Sequence, residues 1–213
     1  MNTDKLIDVL SSNLEPVERG TLTRTIWWAL VIATAVAFCV MLATVGPRSG
    51  IVSDDGRGFL ALKLVFAVSL VGGGAAWLVR SMQPARELRA PLWVLSLPFV
   101  VITIAGAVDL VRETSGPWSR MLFGTQWAMC VACIPLFAVL PFAILIWAAR
   151  QGAPTNLPRT GAMVGLVAGA IGAVAYAFHC PDDFLPFIAL WYGGGIAFCV
   201  VVGGLLGPRL LRW

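Results

Sequence analysis

Six long runs with almost no charge constrain this chain more than anything else in it. They fall at about residues 26–46, 59–79, 91–111, 122–147, 160–178 and 186–207. Each is close to the roughly 20 apolar residues that a helix needs to cross the hydrocarbon of a bilayer, where a spanning segment must also satisfy its own backbone. Composition agrees: 59% of the 213 residues are hydrophobic and 12% are charged, against about 25% charged in a soluble domain. The expected fold is an all-α membrane protein, a six-transmembrane-helix bundle over 26–213, preceded by a short cytoplasmic segment, 1–25. The spans leave no room for a soluble domain of ordinary size. No cleavable signal peptide is expected, because the chain opens polar and acidic.

Positive charge sets the orientation. With the N-terminus inside, the inner segments carry ten Lys and Arg (Lys5, Arg19, Arg24, Arg80, Arg86, Arg89, Arg150, Arg159, Arg209, Arg212) and the outer loops carry four (Arg48, Arg57, Arg112, Arg120). Basic residues near span ends concentrate on the cytoplasmic side, so both termini are expected there. Lys63 falls inside the second span near its outer end and is expected to snorkel outward. The net charge of +4 does not point to nucleic acid, since the cations sit singly at span ends.

The head reads as a short amphipathic helix. Leu6, Leu10, Leu14 and Val17 fall at spacings of four, four and three and form one apolar stripe. Asp4, Asp8 and Glu15 lie on the other face. So short a helix is marginal alone in water and must dock on the bilayer or on a partner. Its acidic face suits an anionic leaflet poorly, which favours a protein groove.

Chemistry gathers at the outer side. The fifth inter-span loop holds the only histidine, His179, followed by Cys180, Pro181, Asp182 and Asp183. The fourth span carries Cys130 and Cys133, three apart and so on one helix face. Cys130 lies about eight residues past the outer edge of that span, roughly 12 Å deep at the helical rise. Cys130, Cys133, His179 and Cys180 form a possible site for soft metal ions such as Zn, Cd or Cu(I), bound transiently rather than as a resident cofactor. The same thiols can instead form a reversible disulfide in an oxidising compartment, with Cys130–Cys180 one such pair. Cys39, Cys133 and Cys199 also read as plain buried apolar residues. Asp109 reads as a carboxylate reaching interfacial water beside Arg112, with a buried functional acid as the alternative. Gly161, Gly165, Gly169 and Ala173, and then Gly195, Cys199, Gly203 and Gly207, recur at four and predict close helix packing. No hydrolase or phosphate-binding motif is present, and no chain of intramembrane acids suggests a pump.

The opening Met1-Asn-Thr-Asp-Lys-Leu-Ile-Asp-Val-Leu10, the segment His179-Cys180-Pro181-Asp182-Asp183, the run Phe187-Ile-Ala-Leu-Trp-Tyr192 and the terminal Leu211-Arg212-Trp213 together resemble the NrsF-type family of negative regulators of sigma factors. The resemblance spans the whole chain. It implies a six-span membrane anti-sigma factor, not an enzyme, that holds an extracytoplasmic-function (ECF) sigma factor. It also implies a response to metal or oxidative stress through two cysteines. Cys180 matches the loop cysteine and Cys130 the one in the fourth span, with Cys133 a second candidate for that place. On this reading Leu6, Leu10, Leu14 and Val17 fill a groove on the sigma factor. Asp4, Asp8 and Glu15 pair with its basic residues. A membrane thiol–disulfide oxidoreductase using Cys130, Cys133 and Cys180 is the alternative. A metal transporter is disfavoured by the scarcity of intramembrane ligands.

Overall fold

The computed structural model describes residues 20–48, 54–81, 92–113, 118–152 and 154–212. Six long helices carry the fold: α1 Thr21–Thr44, α2 Asp54–Ser81, α3 Leu97–Arg112, α4 Trp127–Arg150, α5 Leu157–Ala177 and α6 Gly193–Leu210. With the short turns that precede some of them, they give six stretches long and apolar enough to cross a membrane. No strand occurs among the described residues. The all-α, six-span expectation holds, although α1 already begins at Thr21 rather than at 26.

Two of the apolar runs are broken where the sequence read them as continuous. Residues Leu92–Ser96 form a 3₁₀ turn, and α3 starts after it with Pro98 in its first turn. A proline there has no N–H to leave unsatisfied, so it starts a helix rather than kinking one. The fourth run breaks at Gly124–Gln126, between a short helix Trp118–Phe123 and α4. Gly124 takes a φ of +53°, a left-handed conformation that favours glycine.

Helix α5 is the centre. Its N-terminus is capped by Asn156, whose Oδ1 accepts from the Arg159 N–H at 3.1 Å. Helices α1, α2, α4 and α6 surround it, and every residue from Val164 to Ala177 is buried. The expected glycine faces meet there. A Cβ on Gly161 would overlap the Gly203 carbonyl, and one on Gly165 would overlap the Cys199 carbonyl. On the other side, a Cβ on Gly172 would stand 2.5 Å from the Ile134 carbonyl of α4. With lipid outside as apolar as any side chain, helices associate where small residues allow the backbones to approach.

Helix α3 is peripheral. Only Ile102 and Gly106 are buried in it, and it leans mainly on residues 185–192. Between it and α2 opens an apolar cleft of about 470 Å³, lined by Leu62, Phe66, Gly73, Leu95, Pro98 and Val101. Asp109 is half-buried in its last turn. Cys199 is buried between α5 and α6, as an apolar residue would be, whereas Cys39 is exposed on the outer surface of α1 and does not fill the core.

Candidate functional site

The loop from Phe178 to Phe184 closes over the end of the bundle, between α5 and the turns that lead into α6. Its two adjacent acids fasten it in opposite directions. Asp182, 4% exposed, turns toward α4. Its Oδ1 accepts from the Thr125 N–H and hydroxyl, both at 2.9 Å, and its Oδ2 accepts from the Gln126 N–H at 2.9 Å. The carboxylate thereby satisfies N–H groups at the start of α4, where a negative charge also suits the helix dipole. Gly124 makes room for it, since a Cβ there would stand 2.6 Å from the Asp182 Cγ.

Asp183 turns toward α1 and α2. Its Oδ1 accepts from Lys63 Nζ at 2.8 Å and its Oδ2 from Arg48 Nη1 at 2.9 Å. The same two cations also donate to the Cys180 carbonyl, Lys63 at 3.2 Å and Arg48 at 3.0 Å. Lys63 is fully buried, so the expectation that it snorkels into outer water is corrected. Its ammonium is held inside the protein by a carboxylate and a carbonyl, with the Tyr192 ring 5.8 Å away. Removing a lysine from water is costly, and only such partners offset it.

This fastening brings two thiols together. Cys130 and Cys180, both at 0% exposure, lie within hydrogen-bonding reach of each other. Both are reduced. Because the fourth run breaks at Gly124–Gln126, Cys130 sits in the first turn of α4, its N–H bonded to the Gln126 carbonyl. Cys130 is buried as expected, but at the start of α4 rather than eight residues into one unbroken helix. The Cys180 thiol is pulled down to about 7, first by the hydrogen bond from Cys130 and then by Lys63, against the opposing effect of burial. Its Sγ also lies 4.0 Å from the Asp182 carbonyl. Cys133, one turn further along α4, is buried but does not meet Cys180.

Two tyrosines complete the cluster. Tyr176 faces Cys130 and Tyr192 faces Cys180, with the two rings 6.0 Å apart. Both hydroxyls are buried without a close hydrogen-bond partner. Tyr192 arrives through a π-helical turn, Ile188–Tyr192. Such turns are frequent at functional sites.

His179 stands apart from the thiols. Its Nδ1–H donates to the Gly46 carbonyl at 2.9 Å, tying the loop to the end of α1. Among the described residues no three His, Cys, Asp or Glu side chains converge where a metal ion can be held. Of the four proposed soft-metal ligands, the structure therefore groups Cys130 with Cys180 and leaves Cys133 and His179 outside that pair. The seven head residues Asp4, Leu6, Asp8, Leu10, Leu14, Glu15 and Val17 lie outside the described residues. Sequence reasoning missed Arg48, Asp182 as a cap, and both tyrosines. A signal for the last was available, because the chain's only two tyrosines bracket this loop.

Comparison with known proteins agrees over the full length. Residues 10–213 match the NrsF family, described as negative regulator of sigma F. A relative from Azospira oryzae named "Probable anti-sigma-F factor NrsF" is 30% identical over 217 residues, covering all of both chains. The protein named "Anti-sigma-F factor NrsF" of Caulobacter vibrioides is 26% identical, again over all of both chains. No solved structure matches. The chain belongs to the NrsF family of negative regulators, a family of regulatory proteins rather than enzymes.

Proposed function

We propose that this protein is an inner-membrane anti-sigma factor that sequesters an ECF sigma factor through its N-terminal segment 1–25 and inner loops. In the proposed mechanism, oxidation or soft-metal capture at the Cys130–Cys180 pair, near the periplasmic face, releases the sigma factor. The names of the two relatives support the regulatory part. The observation that carries the sensory part is the buried contact between the two thiols, under a loop fastened to α1, α2 and α4. A thiol held below its ordinary value reacts with oxidants and soft cations as the thiolate. Linking the two sulfurs, or bridging them with a cation, draws the loop against α4. Because α5 runs on from that loop and is packed by glycine on two sides, the shift is passed along a rigid element to the inner face. The stripe Leu6, Leu10, Leu14 and Val17 takes the groove of the sigma factor, and Asp4, Asp8 and Glu15 pair with its basic surface.

The test is co-purification of the sigma factor from detergent. It is expected with the full chain and lost when residues 1–25 are removed or when Leu10 and Leu14 are both changed to Asp. Peroxide or cadmium is expected to release it from the full chain and not from a Cys180→Ser variant. Binding that persists without the head sinks the assignment of the head. Release that is unchanged in Cys180→Ser sinks the thiol sensor.

A further inference from the structure

Lys63 is the one fully buried cation among the described residues, and it stands on a helix rather than in a loop. It touches three parts of the thiol cluster at once: the backbone of Cys180, the Asp183 carboxylate and the face of Tyr192. Arg48 grips the same carbonyl and the other oxygen of Asp183, but from the segment after α1. Helix α2 packs directly on α5. Lys63 therefore ties the residue that carries one thiol to the rigid centre of the bundle. An ionisable group buried in a helix of this kind points to a specific task.

We propose that Lys63 is the positioning residue of the thiol pair, holding the Cys180 sulfur against Cys130 so that oxidation of the first is captured by the second as a disulfide. This rests on reading the pair as a sensor. The oxidant is a peroxide. The Cys180 sulfur attacks one oxygen of hydrogen peroxide; the O–O bond breaks, an S–O bond forms, and the other oxygen leaves as water with the thiol proton. The Cys130 sulfur then attacks the Cys180 sulfur; an S–S bond forms, the S–O bond breaks, and the hydroxyl leaves as water with the Cys130 proton. Two thiols lose two electrons and one peroxide becomes two waters. The second step competes with further oxidation of Cys180 to the sulfinic acid. Capture wins only if the two sulfurs already face each other. Without the tie to Lys63, the loop keeps its grip on α4 through Asp182 and on Arg48, but the inward pull on the Cys180 backbone is gone.

The experiment treats the purified full chain in detergent with hydrogen peroxide and maps every cysteine by peptide mass spectrometry. Wild type is expected to give the Cys130–Cys180 disulfide, with Cys39, Cys133 and Cys199 unmodified. In Lys63→Met the disulfide yield is expected to fall about tenfold, with Cys180 alone accumulating as sulfinic acid, the signature of a misplaced partner. A role in global stability only would not produce oxidation confined to Cys180. Disulfide formation at the wild-type yield in Lys63→Met overturns the proposal. If that variant oxidises at all five cysteines it has unfolded, and Asp183→Asn decides: a disulfide yield about threefold below wild type supports the proposal, and an unchanged yield overturns it. Absence of the disulfide in wild type overturns it as well. No sigma factor enters the assay, so a disulfide that forms normally but leaves the sigma factor bound overturns the sensor reading and not this one.

Discussion

Helices α5 and α3 are both long and mostly apolar, yet one is the axis of the protein and the other lies on its rim. The more apolar of the two is α3, and it is the less buried. In water that order would be reversed, because hydrophobic surface is driven inside. In a bilayer hydrophobicity does not choose the core, since lipid receives apolar side chains as readily as protein does. What distinguishes α5 is smallness: Gly161, Gly165, Gly169 and Gly172 let α4 and α6 approach to backbone contact. Helix α3 has one comparable point, Gly106, where a Cβ would stand 3.1 Å from the backbone of Pro186. Elsewhere it presents Val100, Val101, Ile104, Val108 and Val111 outward.

The comparison can be broken in order of expected effect. Gly165→Leu drives a side chain into the Cys199 carbonyl and is expected to cost about 3 kcal/mol or more, read as a large fall in the thermal unfolding midpoint in detergent; a wild-type midpoint would show that α5 is not the axis. Asp182→Ala removes the acceptor for three donors at the start of α4, and about 2 kcal/mol of loss is expected, with faster hydrogen exchange in the first turn of α4. Gly106→Val is expected to cost about 1 kcal/mol, with faster exchange over residues 97–112 and unchanged protection over 157–177. Equal loosening of both helices would mean that α3 is part of the core. Val101→Ala with Ile104→Ala, on the outward face of α3, is expected to shift stability by less than about 0.5 kcal/mol.

The six spans were legible because a membrane segment declares itself by length and lack of charge alone. The glycine faces were legible because spacing by four survives whatever the helix packs on. The site was legible only in part. Cys180 stood out as a thiol in a polar loop, but the choice between Cys130 and Cys133 depends on how α4 is rotated. The fourth run also breaks at Gly124–Gln126, and an apolar run with one glycine and two polar residues gives little warning of that. Lys63 was visible as an intramembrane cation. Its partner was not, because Asp183 is 120 residues away and only the fold brings the two together. Tyr176 and Tyr192 bracket the loop, but nothing local to either says that it faces a sulfur.

The π-helical turn at Ile188–Tyr192 acts as a phase adjuster between two fixed surfaces. Below it, α6 is locked in angle by the glycines that seat it on α5; above it, Asp182 and Asp183 are locked in angle by α4 and by Lys63 with Arg48. A π turn holds one residue more than the α-helical count, and one residue corresponds to about 100° of helical rotation. Deleting a single residue from this turn therefore forces a choice. Either the glycine seam slips, or the loop swings by more than a quarter turn and its acids leave their partners. The two surfaces are compatible only through that extra residue.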